Sequence, residues 1–413
     1  MEDYKCKGAR DLLPDDMIRF RYIEDVFRNS CLGWGYQEVR TPTLEYLHLF
    51  TATGTLTPSM LNRVYSFLDW DGWSGERVVL RPDGTIPIAR LFTEFATEQK
   101  VARFFYVTNV FAFEETGKVN RERWQCGVEL LDSSELTGDI EIILLASEIL
   151  RNLGITNASL HLSHAGMIKA LLREAKLSPE REAKLLDEIL DGNWQVLGEI
   201  GAENRSLEGL LSMLAGMKGR ASGFLENLKV MAAQISPALV AEFDNFTRVT
   251  SLLDALGQSY QIDVTSTRGF EYYTGVSFQF LVEGDRVGGG GRYDDLIPLV
   301  GGGDTSACGF AFYMDSLMDM VRLGNEPGAK RGVLIRAEAM SPGVIESCFR
   351  LAQLLRGAGH EVELAFAGRE TGRRWLVTVG ERAVSPFGVT DRDQNRKREV
   401  ASVSEVIDVI EGS

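Results

Sequence analysis

Residues 268–275 read Arg-Gly-Phe-Glu-Tyr-Tyr-Thr-Gly, and residues 288–294 read Gly-Gly-Gly-Gly-Arg-Tyr-Asp. Between them, 272–282 has the aromatic and β-branched texture of a strand. The glycine run reads as a turn, and strand character returns at 306–313. Upstream, residues 165–260 are rich in Leu, Ala and Glu at helical spacing, and 261–264 resumes the strands. Earlier still, 78–80, 103–113 and 124–131 read as strands, and about 138–152 as a helix stopped at Gly154. Strands, then helices, then strands predict an α+β fold: one sheet interrupted by a helical insertion.

Outward from that frame, 14–31 reads as an amphipathic helix. Met17, Phe20, Tyr22, Ile23, Val26 and Phe27 recur at helical spacing, and Pro14 fits the first turn. Gly33-Trp34-Gly35 breaks it, and Tyr36 to Pro42 reads as a strand. Gly324 to Lys330 reads as a linker. Beyond it, a strand at 333–335, a helix at 343–357 and a strand at 362–366 predict a small α/β domain. The expected division is 1–323, containing the insertion 165–260, and 331–413.

The 413 residues are 44% apolar, so a large core is expected. No apolar run is long enough to cross a bilayer, and the charged start has no signal-peptide stretch. A soluble, cytoplasmic protein is the expectation. Net charge is −15, which argues against a broad nucleic-acid surface. Residues 330–413 hold 13 Lys/Arg and 12 Asp/Glu, so the acidity belongs to the first 329. A small basic knot, Arg392, Arg396, Lys397 and Arg398, reads as a solvated loop. The five cysteines are scattered, without a C-x-x-C pair, so neither disulfides nor a metal site is expected. There is no P-loop motif, and no cofactor is implied.

Arg81-Pro82-Asp83-Gly84-Thr85 places a carboxylate and a hydroxyl at a tight turn after a strand. Gln125 and Glu129, four apart on a strand, point to one face. Tyr273 and Arg268 lie on or before another. Carboxylates, an amide and a phenol can capture an ammonium group and an imidazole through charge-assisted hydrogen bonds. The bland reading of the same residues is ordinary hydrogen bonding on a sheet face.

Several motifs in order resemble the histidyl-tRNA synthetase group of class II synthetases. They are Gly8 to Pro14, Gly35 to Pro42, Gln125-Cys126-Gly127-Val128-Glu129, Arg268 to Gly275 and Gly288 to Asp294. The resemblance implies an antiparallel sheet with flanking helices, a dimer, and a histidine site. In it Asp83 and Glu129 face the ammonium or imidazole, and Thr85 lies beside the ammonium. Gln125 and Tyr273 bond the amino-acid part, Tyr272 walls the imidazole, and Arg268 meets the carboxylate. It assigns no catalytic residue here, because two phosphate-binding arginines are replaced, by Ala112 and by Ser316.

Arg81-Pro82-Asp83 and Pro87-Ile88-Ala89-Arg90 look more like a paralogous family, the regulatory subunits of ATP phosphoribosyltransferase. That resemblance implies a partner, a short-form catalytic subunit, and feedback control by histidine. The tail resembles a shortened anticodon-binding domain, and tRNA is not expected as a partner. The alternatives are a divergent histidyl-tRNA synthetase and a stand-alone histidine-binding paralog.

Overall fold

The computed structural model describes residues 4–6, 8–53, 64–69, 75–95, 101–111, 121–190, 193, 195–203, 207–211, 218–219, 222–264, 273–323, 332–365, 372–382, 384 and 386–412. The chain forms two compact units, Met1–Val321 and Arg322–Ser413.

The first unit is built on a nine-stranded sheet. Its strand order is Gln37–Glu38, Ala102–Phe111, Glu122–Leu131, Ala307–Tyr313, Asp285–Arg292, Val276–Val282, Ser159–His164, Gln261–Asp263 and Lys218–Gly219. The middle of the sheet is antiparallel, with Tyr106 opposite Gly127, Glu129 opposite Gly309, and Gly309 opposite Gly291. The fold is therefore α+β with a large antiparallel-rich sheet. Tyr36 to Pro42 contributes only two residues of strand, Gln37–Glu38, paired in parallel with Ala102–Phe111.

The glycine run corrects the sequence reading most. It is not a turn: Asp285–Arg292 is a central strand bonded on both sides. Its glycines alternate in purpose, because successive residues face opposite sides of a sheet. A methyl at Gly288 would lie 2.4 Å from the Phe312 ring, and one at Gly290 would lie 2.0 Å from the Gly309 carbonyl and 2.6 Å from Phe310 Cβ. On that face Phe278, Phe280, Phe310 and Phe312 close over the strand, with centroids 5.2–6.5 Å apart.

Helices cover this apolar face. Pro14–Gly33 packs Phe20 edge-on to Trp124 and Phe27 edge-on to Phe105. Tyr22, expected on the apolar stripe, is 38% exposed. Glu135–Asn152 lies alongside and ends at Gly154, whose φ of +78° suits glycine. Cys31, Cys126 and Cys308 are buried on or under these elements, Cys348 is buried in the second unit, and Cys6 is exposed.

The insertion leaves the sheet after Ser159–His164, a strand the sequence reading missed. It runs through helices Ala165–Glu174, Pro179–Leu190, Val196–Glu203, Ser222–Ala232 and Pro237–Ala255 and returns at Gln261. It is not wholly helical, since Lys218–Gly219 pairs with Gln261–Asp263. A separate three-stranded sheet, Leu44–Tyr46, Arg77–Leu80 and Ser66–Leu68, leads into helix Thr85–Phe95.

The second unit is a five-stranded sheet. Val362–Ala365, Val333–Ala337 and Trp375–Val379 are parallel; Phe387–Asp391 and Arg396–Val400 add antiparallel. Helix Pro342–Gly357 makes the crossover, and Val333, Ile335, Leu351, Val377 and Val389 form the core. Part of the basic knot is thus an edge strand rather than a loop: Arg396, Lys397 and Arg398 are exposed along Arg396–Val400.

Candidate functional site

The face of the large sheet opposite the phenylalanines has a middle of small residues. Across its strands lie Gly127, Gly309, Ala311, Gly289, Gly291 and Ser277, a floor made by omission. Polar groups stand at its margins.

Glu129 is 1% exposed, and hydroxyls wrap its carboxylate. Tyr106 Oη donates to Oε1 at 3.2 Å, and Tyr293 Oη donates to Oε2. The Thr85 hydroxyl donates to the same carboxylate. Burial pushes the Glu129 pKa up to about 8; these bonds pull it down, and the nearby Asp83 charge pushes it up.

Glycines make the arrangement possible. Methyls at Gly84 and Gly127 would lie 2.4 Å and 2.1 Å from the Tyr106 ring. One at Gly309 would lie 2.1 Å from Glu129 Oε2 and 2.7 Å from Tyr293 Oη.

Asp83 is half-buried, and its Oδ1 accepts from Ile86 N at 3.0 Å, capping helix Thr85–Phe95. Burial raises its pKa, opposed by bonds from the Ile86, Thr85 and Gly84 amides. Arg81, next door, is structural. Its Nε reaches Asn109 O at 2.7 Å and its Nη1 reaches Thr41 O and Pro42 O, each at 2.9 Å.

Gln125 lies two pleats from Glu129 on the same face, and its buried Oε1 has no partner. Ser277 Oγ, on the same floor, is also buried without a partner. Orphaned buried polar atoms call for an explanation, and a ligand is one.

Tyr273 is 6% exposed, just before strand Val276–Val282. Its carbonyl accepts from Lys169 Nζ at 2.8 Å, and Gly275 O accepts from Ala165 N at 2.8 Å. His164 caps that same helix: Nδ1 accepts from Met167 N at 3.1 Å, so Nε2 carries the proton toward Asn245 Oδ1. Burial holds the His164 pKa down to about 4, so the ring is neutral. The segment entering the site is thereby tied to the insertion.

Asp83, Thr85 and Glu129 therefore converge, and Gln125 and Tyr273 stand on or beside the same sheet. Arg268, Tyr272 and Ala112 lie outside the described residues. Ser316 is half-buried in the first turn of helix Met314–Met320, beside Asp315, which pairs with Arg10.

Sequence reasoning missed Tyr106 and the role of Tyr293. Glycine at 84 and 127 was the available signal, since each leaves space for a ring. Among the described residues no group of His, Cys, Asp and Glu could hold a metal ion, and no helix is long and apolar enough to cross a membrane.

The antiparallel-rich sheet with its helical insertion has the class II fold of the histidyl-tRNA synthetases. The family model for histidyl-tRNA synthetase matches residues 8–317, and the chain belongs to that family. Within it, the chain is 46% identical to the ATP phosphoribosyltransferase regulatory subunit of Dehalococcoides mccartyi strain 195, over 99% of this chain and 98% of the relative. Identity to the histidine–tRNA ligase of Methanosarcina acetivorans is 34%, covering 98% of each. Among solved structures, an ATP phosphoribosyltransferase regulatory subunit/histidyl-tRNA synthetase from Bacillus halodurans superposes with a TM-score of 0.75 at 25% identity. The match covers 92% of this chain and 98% of that one.

Proposed function

We propose that this chain is a non-catalytic regulatory subunit of ATP phosphoribosyltransferase that binds histidine on the glycine floor. In this reading it acts in the cytoplasm in histidine biosynthesis. As a homodimer within a hetero-oligomer, it activates a short-form catalytic subunit and takes part in feedback inhibition by histidine. The observation that carries the reading is the hydroxyl-wrapped Glu129 beside Asp83 and Thr85, an acidic end suited to the N–H donors of histidine.

The 46% identity to relatives named as regulatory subunits supports the non-catalytic half. So does Ser316, an uncharged side chain where the resemblance places a phosphate-binding arginine. Loss of one preorganised donor to transition-state charge costs on the order of 3–4 kcal/mol. Asp83 divides its work, one oxygen capping a helix while the other is left for an ammonium. Histidine controls the assembly only by binding one of its states better than another.

The deciding experiment follows phosphoribosyl-ATP formation by the short-form catalytic subunit of the same organism, with and without this chain, then with histidine. Activity that needs this chain and falls with histidine is expected. A catalytic subunit indifferent to the chain refutes the reading, and histidine-dependent ATP–pyrophosphate exchange by the chain alone would replace it with a synthetase.

A further inference from the structure

The floor has a second end. Arg286 opens the glycine strand, and its side chain folds back over it: Nη2 lies 3.0 Å from where a methyl on Gly289 would stand. The guanidinium sits over the Tyr313 ring, 5.6 Å from its centroid. Tyr313 is directly opposite Gln125 on the neighbouring strand. Arg286 Nε is buried without a hydrogen-bond partner, and among the described residues no carboxylate pairs with the guanidinium. A cation left unpaired over a floor built without side chains is oriented for an anion.

The sheet register gives the spacing. The Glu129 carboxylate lies against Gly309, and the Arg286 guanidinium lies over Gly289. Gly309 is opposite Gly291, two residues along from Gly289. One strand spacing of about 4.8 Å and two residues of about 3.3 Å each put the two anchors about 8 Å apart. Between them are Gly291 and Ala311, and the unpartnered oxygens of Gln125 and Ser277 belong to the same face.

We propose that Arg286 holds the carboxylate of the amino acid whose nitrogen-bearing end is held at Glu129, so that the floor reads both ends of one zwitterion. This rests on the histidine reading above and assigns it a residue that the motifs do not include. Tyr313 positions the guanidinium by stacking, which leaves its N–H edges free.

The test is calorimetric, on the full-length chain. Histidine and histidinol, which replaces the carboxylate with a hydroxymethyl group, are titrated into the wild type, Arg286→Gln and Arg286→Lys. Arg286→Gln is expected to weaken histidine by on the order of 10- to 100-fold and leave histidinol unchanged. Arg286→Lys should recover part of the loss. Equal losses for both ligands, or no loss for histidine, would overturn the assignment.

Inorganic phosphate is then titrated into the histidine-saturated wild type. An Arg286-dependent heat would mean that the guanidinium takes its anion from a second molecule, which also overturns it; silence supports it. A wild type that does not bind histidine sinks the pocket reading together with this one. A wild type that binds, with an indifferent Arg286→Gln, sinks only this one.

Discussion

The two faces of the nine-stranded sheet use the same glycines to opposite ends. On one, Gly288 and Gly290 vanish beneath Phe310 and Phe312, and the space a side chain would fill is taken by aromatic rings. On the other, the space over Gly127, Gly309 and Gly289 is taken by polar groups instead, the Tyr106 ring, the Glu129 carboxylate and the Arg286 guanidinium. The apolar face is closed by rings; the polar face keeps unpartnered oxygens at Gln125 and Ser277. One strand can serve a core and a site together when the residues that alternate along it have no side chains to compete.

Arg292 is a buried charge on the apolar face, and removing it should have the largest effect. Arg292, 1% exposed, donates from Nε to Asp139 Oδ1 at 2.9 Å, from Nη1 to Asp294 Oδ1 at 3.0 Å, and from Nη2 to the Glu135 carbonyl at 2.7 Å. Burial already lifts Asp139 to about 7, with Arg292 opposing the shift. Arg292→Met strands that carboxylate under helix Glu135–Asn152. A loss of about 3–5 kcal/mol is expected in the unfolding of the first unit by urea at neutral pH. A loss under about 1 kcal/mol would mean that the phenylalanine packing alone holds this face.

On the polar face the matching change is Glu129→Gln. It should remove about 1.5–3 kcal/mol of histidine affinity, the worth of hydrogen bonds to a charged group, while leaving the melting temperature of the free chain unchanged or higher. Histidine-induced stabilisation in a thermal scan reads both. An equal loss of stability and binding would make Glu129 a structural residue, and the two faces would then differ only in degree.

The glycines themselves give a closer contrast. Gly290→Ala drives a methyl to within 2.0 Å of the Gly309 carbonyl, whereas at Gly291 the nearest atom is the Val276 carbonyl at 2.8 Å. The first should cost about 1–3 kcal/mol of stability by overpacking. The second should cost less stability and chiefly weaken the ligand. Denaturation and calorimetry on the same pair of variants separate the effects, and a reversed order would break the division of labour between the faces.

Much of this was legible in the sequence, and what was missed has physical reasons. Periodicity placed the strand carrying Gln125 and Glu129, because apolar Trp124, Cys126, Val128 and Leu130 alternate with them. It failed at Asp285–Arg292, since four glycines carry no alternation to read and local propensity points to a turn. It failed at Ser159–His164 because six residues of mixed polarity look like the approach to a helix. Tyr106 was read only as part of a strand; that its ring fills the space left by Gly84 and Gly127 depends on contacts across 22 and 21 residues. Asp83 was read as a ligand group, and its cap on Ile86 N emerged only with the helix in place.

The smallest effect concerns the proton on Glu129, and it weighs the floor's hydroxyls against its burial. In the free chain burial outweighs the bonds from Tyr293, Thr85 and Tyr106, and the pKa stands near 8. For an acid raised in this way, the folded chain keeps a proton that the unfolded chain releases near 4.5. That contribution to stability is full below about pH 4.5 and is lost as pH rises toward 8. Ligand binding runs the other way. A nitrogen donor needs the carboxylate ionised, so histidine must expel the proton below about pH 8, and each unit of acidity costs about 1.4 kcal/mol. Between about pH 6.5, where free imidazole is half neutral, and pH 8, affinity should therefore climb by nearly tenfold per unit. Glu129→Gln should flatten the climb. Titrations in two buffers of different ionisation enthalpy count the proton directly. A flat wild-type profile without proton release would show that three hydroxyls outweigh the burial, leaving the polar face charged and ready before the ligand arrives.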